Sequence, residues 1–285
     1  MHFFCVIYYY MFIQVLSKIT SESLLSLYPI FVKKIGISTT LQLWSRLITY
    51  VAISACFVDW SFIKSSILSL DAITLGLVNL SHIYFSYEGF RNLDSGVSFA
   101  IFNSYPLMIL VLAGVLWNNS YLLVIFGLFM FVYGNHVEEQ TSASASASID
   151  FYYGVAMILL AALTEAFIYF LVRRVKTMNN WNHVFISYFL GAVIMSAVVL
   201  FDWKDADKVR VGWSMAINGV IGSLGYFLRF YSSYRLDPAI YAPLSYFGVL
   251  MSYVYGILFD GETLNWQKVV GTVSILASNY FSTDT

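Results

Sequence analysis

The feature that most constrains this chain is a succession of apolar blocks, each about 20 residues long, separated by short polar breaks. At 1.5 Å of rise per residue, a helix of that length crosses a hydrocarbon core roughly 30 Å thick. The blocks fall at roughly 12–34, 39–58, 67–90, 95–116, 120–136, 151–175, 182–201, 211–234, 238–259 and 265–281. Backbone groups in hydrocarbon need internal partners, which a helix supplies, and nothing here alternates as a membrane strand does. The expectation is an all-α polytopic membrane protein with ten transmembrane helices. Charged residues make up 11% of the chain, less than half the usual share of about 25% in soluble domains. A net charge of −1 offers no footprint for nucleic acid. Cys5 and Cys56, both in apolar sequence, exclude a disulfide-stapled secreted fold.

The polar breaks set the organisation. Asp202 to Arg210 carries six charges in nine residues and reads as an aqueous loop. The opening MHFFCVIYYYMFIQVLSKIT lacks a basic start and a small-x-small cleavage site, so it is expected to be retained, with its first residues at the membrane interface. The longest polar insert, His136 to Asp150, alternates Ser and Ala without an apolar face and reads as a tether. It divides the chain into 1–137, a linker at 138–149, and 150–285.

The two parts resemble each other. YPIFVKK (Tyr28–Lys34) matches IYFLVRR (Ile168–Arg174), and FRNLDSGVSFAIF from Phe90 matches YRLDPAIYAPL from Tyr234. Asn118 precedes Gly127 by nine residues, as Glu262 precedes Gly271. The matches keep their order at offsets of 140 to 144 residues. Five spans in each part would reverse the second copy, giving inverted five-helix repeats, a construction common in secondary transporters.

These segments also resemble the drug/metabolite transporter superfamily, in its form with two EamA-like domains. The resemblance rests on Tyr28–Lys34, on the following LQLWSRLITY with Arg46, and above all on YSSYRLDPAIYAPLSYFGVLMSYVYGILFDGE (Tyr231–Glu262). It covers about 20–282 and implies a cavity among the first four helices of each half, with both termini in the cytoplasm. The basic residues of the loops divide slightly against that orientation. Asn118 stands where the second half has Glu262, so a symmetric role for that glutamate is not implied.

Ionisable residues inside a span are costly and face the bundle interior by default. Glu22, Arg46, Asp71, Glu88, Glu165 and Arg229 are the cases. Asp71 fits a helix start, Glu88 an interfacial partner for Arg91, and Lys33, Lys34, Arg173 and Arg174 snorkelling anchors at helix ends. Glu22, Ser26, Pro29 and Lys33 form one stripe, as do Asn218, Gly222, Gly225 and Arg229. Pro29 frees the Leu25 carbonyl and is expected to kink its helix. Asn79, His82 and Ser86 share a face; Asn103, Tyr226 and Tyr246 complete the polar set. The candidates for substrate binding or coupling are therefore Glu22, Arg46, Asn79, His82, Asn103, Glu165, Asn218, Tyr226, Arg229 and Tyr246. The competing reading makes them a structural network of buried pairs.

No metal-hydrolase, Cys-x-x-Cys, Walker or nucleotide fingerprint is present. The expectation is a non-enzymatic secondary transporter of a small organic solute, without a cofactor, working by alternating access. Its partners would be the bilayer, the small-molecule substrate and either a coupling proton or a counter-substrate. The alternatives are a multi-span membrane enzyme or scaffold acting on lipid, and a channel.

Overall fold

A computed structural model describes residues 2–112, 120–141, 147–175, 177, 179–204, 206–233, 235–236 and 238–281. Every regular element among them is helical. In chain order these are α1 (His2–Leu25), α2 (Tyr28–Lys34), α3 (Thr39–Ala55), α4 (Trp60–Ser66), α5 (Leu70–Asn92), α6 (Ser95–Phe102) and α7 (Tyr105–Leu112). They continue as α8 (Ser120–Thr141), α9 (Ala147–Arg174), α10 (Asn180–Asp202), α11 (Lys208–Ile217), α12 (Ser223–Ser233), α13 (Pro238–Tyr255) and α14 (Trp266–Phe281). A π-helical turn, Asn218–Gly222, joins α11 to α12, and another, Gly256–Asp260, follows α13.

Local chemistry explains many boundaries. Ser38, Asp59, Ser69, Asn179 and Asp207 each cap a helix by accepting from backbone N–H groups of its first turn. Pro29 enters the first turn of α2, where its missing N–H is tolerated, and α1 stops at Leu25. The segment between α6 and α7, Asn103 and Ser104, lies just before Pro106.

These breaks correct the expected ten spans. Among the described residues three helices are long and apolar enough to cross a membrane: Ile149–Arg174, Asn180–Asp202 and Lys208–Arg229. A fourth is counted if Trp60–Ser66 and Leu70–Asn92, bent by 93°, form one span. Tyr121–Asn135 and Leu244–Asp260 are apolar but shorter. The block expected at 12–34 is cut at Leu25, and its helix begins at His2 rather than near residue 12. The block expected at 95–116 is cut into two helices of 8 residues each. Hydropathy averages over such breaks, so the sequence overstated continuous length. The inverted five-helix repeats, which required five spans in each part, fall with the count. The long apolar helices fit an integral membrane protein with several crossings, and Leu200, Phe201, Val209 and Val220 on them are turned outward.

Helices from the first part of the chain pack mainly on helices from the second: α5 on α9, α3 on α10, α8 on α14, and α1 on α12 and α13. The core they enclose includes Leu47, Tyr50, Ile83, Ile101, Ile158 and Ile275. At the α8–α14 crossing, a Cβ on Gly127 or Gly271 would press on the other's carbonyl oxygen, so glycine permits the backbones to meet. Thr141 and Ala147 show α8 and α9 reaching into the expected 138–149 tether. Its residues 142–146, and Asn118 with the rest of 113–119, lie outside the described residues.

Candidate functional site

A central cavity of about 60 Å³ lies where α1, α2, α3, α5, α6, α7, α12 and α13 converge. Glu22, Arg46, His82, Asn103, Tyr226 and Arg229 line it, so six of the ten residues chosen from sequence meet in one place. The volume admits a few waters or a group of a few heavy atoms.

Arg46, from the middle of α3, is 5% exposed and sits among phenol rings. Its guanidinium carbon stands 4.7 Å from the Tyr28 ring centroid, and 5.5 to 6.0 Å from those of Tyr50, Tyr87, Tyr188 and Tyr226. Nη2 donates to the Tyr226 hydroxyl at 2.8 Å and, at 3.4 Å, to that of Tyr188. Its buried Nε–H has no acceptor. The cage is held by a further chain in which Tyr50 donates to Tyr28 and Tyr28 donates to Asn218 Oδ1, each at 2.8 Å.

Glu165, on α9, stands between two cavity residues. Its Oε2 is 3.6 Å from His82 Nε2, and its Oε1 is 3.5 Å from Arg229 Nη2. His82 Nδ1 lies 3.0 Å from the Ala161 carbonyl oxygen, which can only accept, so Nδ1 carries the hydrogen. In a neutral ring Nε2 is then an acceptor facing a carboxylate. One proton shared between Nε2 and Glu165 turns two opposed acceptors into a hydrogen-bonded pair. Glu22, Arg46 and Arg229 are the other charged residues that line the cavity.

The other candidates, on the cavity wall or away from it, have partners of their own. Glu22 is paired with Lys18 one turn earlier, Nζ to Oε1 at 2.5 Å, with Lys18 wholly buried. Asn79 donates to the Ser187 carbonyl at 2.9 Å and Asn218 to that of Ser214 at 2.8 Å, and neither lines the cavity. Asn103 reaches the cavity while donating to the Phe99 carbonyl. Tyr246 is not among the lining residues. Asp71 occupies the first turn of α5, and Arg91 lies 3.9 Å from Glu88 with Thr39 bonded to both.

Sequence reasoning missed Lys18, although its spacing of four from Glu22 was a readable signal. It also missed the tyrosine cage, because 22 tyrosines are spread along the chain and nothing local marks the ones around Arg46. Lys33 was expected to be a snorkelling anchor. Instead it is held in an ionic cluster with Asp260 at 3.0 Å and Glu262 at 2.8 Å. The Glu262 carboxylate also accepts from the backbone N–H and hydroxyl of Ser95, at the start of α6. Lys268 pairs with Asp94 at 2.7 Å nearby.

Beside this cluster opens a second cavity of about 450 Å³, lined in part by Lys33, Arg91, Asp94, Asp150 and Lys268. Phe90 and Phe99 stack at 5.8 Å on the central cavity's wall. Arg91, Leu93 and Val97, close to these rings in sequence, line the second cavity.

Two comparisons with known proteins bear on this arrangement. The "Putative sugar uptake protein lmo0169" of Listeria monocytogenes is 27% identical over 158 residues, covering 55% of this chain and 52% of that protein. The chain thus aligns with about half the length of this curated relative. Residues 152–283, which hold Glu165, Tyr226 and Arg229, match the model of the EamA-like transporter family.

Proposed function

We propose that this protein is a secondary transporter of the EamA-like kind, carrying a small organic solute through the central cavity by alternating exposure of that cavity to the two sides of a membrane. The observation that carries the reading is Glu165, held loosely between His82 and Arg229, two residues that line the central cavity. Buried charges of purely structural purpose are expected to pair tightly, as Lys18 and Glu22 do. A carboxylate left at 3.5 and 3.6 Å from its neighbours can exchange them for a proton or a solute. The family match over 152–283 and the several long apolar helices support transport. The relative's name brings sugars into the candidate solute class, and tyrosine faces with hydroxyl rims suit a polyhydroxylated ring.

In this reading Arg229 orients Glu165, His82 and Glu165 together hold the coupling proton, and Phe90 with Phe99 closes the path to the second cavity. The test is uptake into proteoliposomes containing the full chain, screened over sugars, sugar acids, amino acids and amines with and without a pH gradient. Accumulation of one class, with a response to the gradient that Glu165→Gln removes, supports it. A protein that moves none of these solutes under either condition overturns it.

A further inference from the structure

Resting on that reading of the cavity, we infer that the solute carries an oxyanion, a carboxylate or a phosphate, which docks on Arg46. The argument is a charge balance at the cavity wall. Glu22 is neutralised by Lys18, and Arg229 faces Glu165. Among the described residues no carboxylate lies within 4.0 Å of the Arg46 guanidinium. Its surroundings are five neutral phenols, whose ring faces attract a cation but do not cancel its charge. Its Nε–H is buried without an acceptor.

A buried guanidinium lacking an anionic partner is costly to keep, and a partner supplied from outside removes that cost. The planar fork of N–H groups matches the oxygens of a carboxylate or phosphate. The cavity's size fits such a group rather than a whole solute, so the rest of the molecule would occupy space that opens when the site is exposed.

The test uses probes small enough for the cavity of about 60 Å³. Binding of acetate, inorganic phosphate and acetamide to the full chain in detergent is followed by thermal unfolding at constant ionic strength. Acetamide has the shape of acetate without its charge. The expected result is that acetate or phosphate binds at least about tenfold more tightly than acetamide, a difference of 1.4 kcal/mol, and that Arg46→Gln abolishes the preference. The stronger of the two anions identifies the carboxylate or the phosphate as the docking group. If Arg46→Gln fails to fold, Arg46→Lys, which keeps the charge but not the fork, should weaken the anion preference.

Binding of both anions no tighter than that of acetamide, or an anion preference indifferent to the folded Arg46 variant, overturns the inference. Neither outcome touches the transport reading, which stands or falls on solute flux in proteoliposomes.

Discussion

Lys33 Nζ donates to Glu262 Oε1 at 2.8 Å across 229 residues of chain, closing an ionic cluster between α2, the first turn of α6 and the turn before α14. Gly261 enters the left-handed region, φ 68°, immediately before that glutamate. A Cβ on Gly256 would collide with the Glu262 carboxylate, so two glycines frame its approach.

Removing Glu262 would leave the Ser95 N–H without its acceptor and Lys33 with Asp260 as its remaining carboxylate partner. Glu262→Ala should lower stability by about 2–3 kcal/mol, the upper range for hydrogen bonds to a charged group. A double-mutant cycle with Lys33→Ala, read by thermal unfolding, should show strong coupling between the positions. Additive losses would mean that the contact is incidental.

Lys18 and Glu22 form a pair whose loss should be asymmetric. Glu22→Gln or Lys18→Met alone leaves a buried charge and should cost about 3–5 kcal/mol. The double replacement Lys18→Met with Glu22→Leu should recover most of it, measured as folded yield and unfolding temperature. A double variant as unstable as either single one refutes a self-contained pair.

The His82–Glu165 apposition makes a statement about pH. Nδ1–H is committed to Ala161, which leaves Nε2 facing the carboxylate, where one proton would join the two. Transport in Glu165→Gln should lose its pH response and fall about tenfold or more. An unchanged pH–rate profile in proteoliposomes assigns the pair a structural role only.

Gly222 and Gly212 give a matched contrast. A Cβ on Gly222 would overlap the hydroxyls of Tyr28 and Tyr50, whereas one on Gly212 meets nothing within 4 Å. Gly222→Ala should cost about 1–3 kcal/mol through overpacking and loosen the ring cage around Arg46. Gly212→Ala should stabilise by about 0.4–1 kcal/mol, because it restricts only the unfolded chain. Unfolding temperatures of the two variants decide the matter.

Glu22, Arg46, His82 and Arg229 were legible because charge in apolar sequence is expensive and therefore points inward. Pro29 pointed to a kink in a helix over 12–34, and the structure ends α1 at Leu25 instead. The Lys33 cluster was not: its partners Asp260 and Glu262 lie more than 200 residues away, and a lysine at a helix end looks the same whether it meets headgroups or carboxylates. The expected ten spans show the opposite failure. Averaged hydropathy joined α6 to α7 across Asn103 and Ser104, where the helices end. Asn79 and Asn218 were indistinguishable from cavity residues because an amide on an inward face satisfies a carbonyl as readily as a solute.

The spacing of the Lys18–Glu22 pair also bears on how the chain is made. Both residues lie on α1 one turn apart, so this helix can neutralise itself as soon as it forms, before any neighbour has been synthesised. Glu165 has no such protection: Arg229 follows 64 residues later, and His82 precedes it on another helix. A carboxylate entering a membrane alone carries an insertion penalty of about 2.5–3.5 kcal/mol. The integration of α9 therefore depends on what is already assembled around it. Early association with α5, its principal packing partner, would bring His82 to that carboxylate while Arg229 is still on the ribosome.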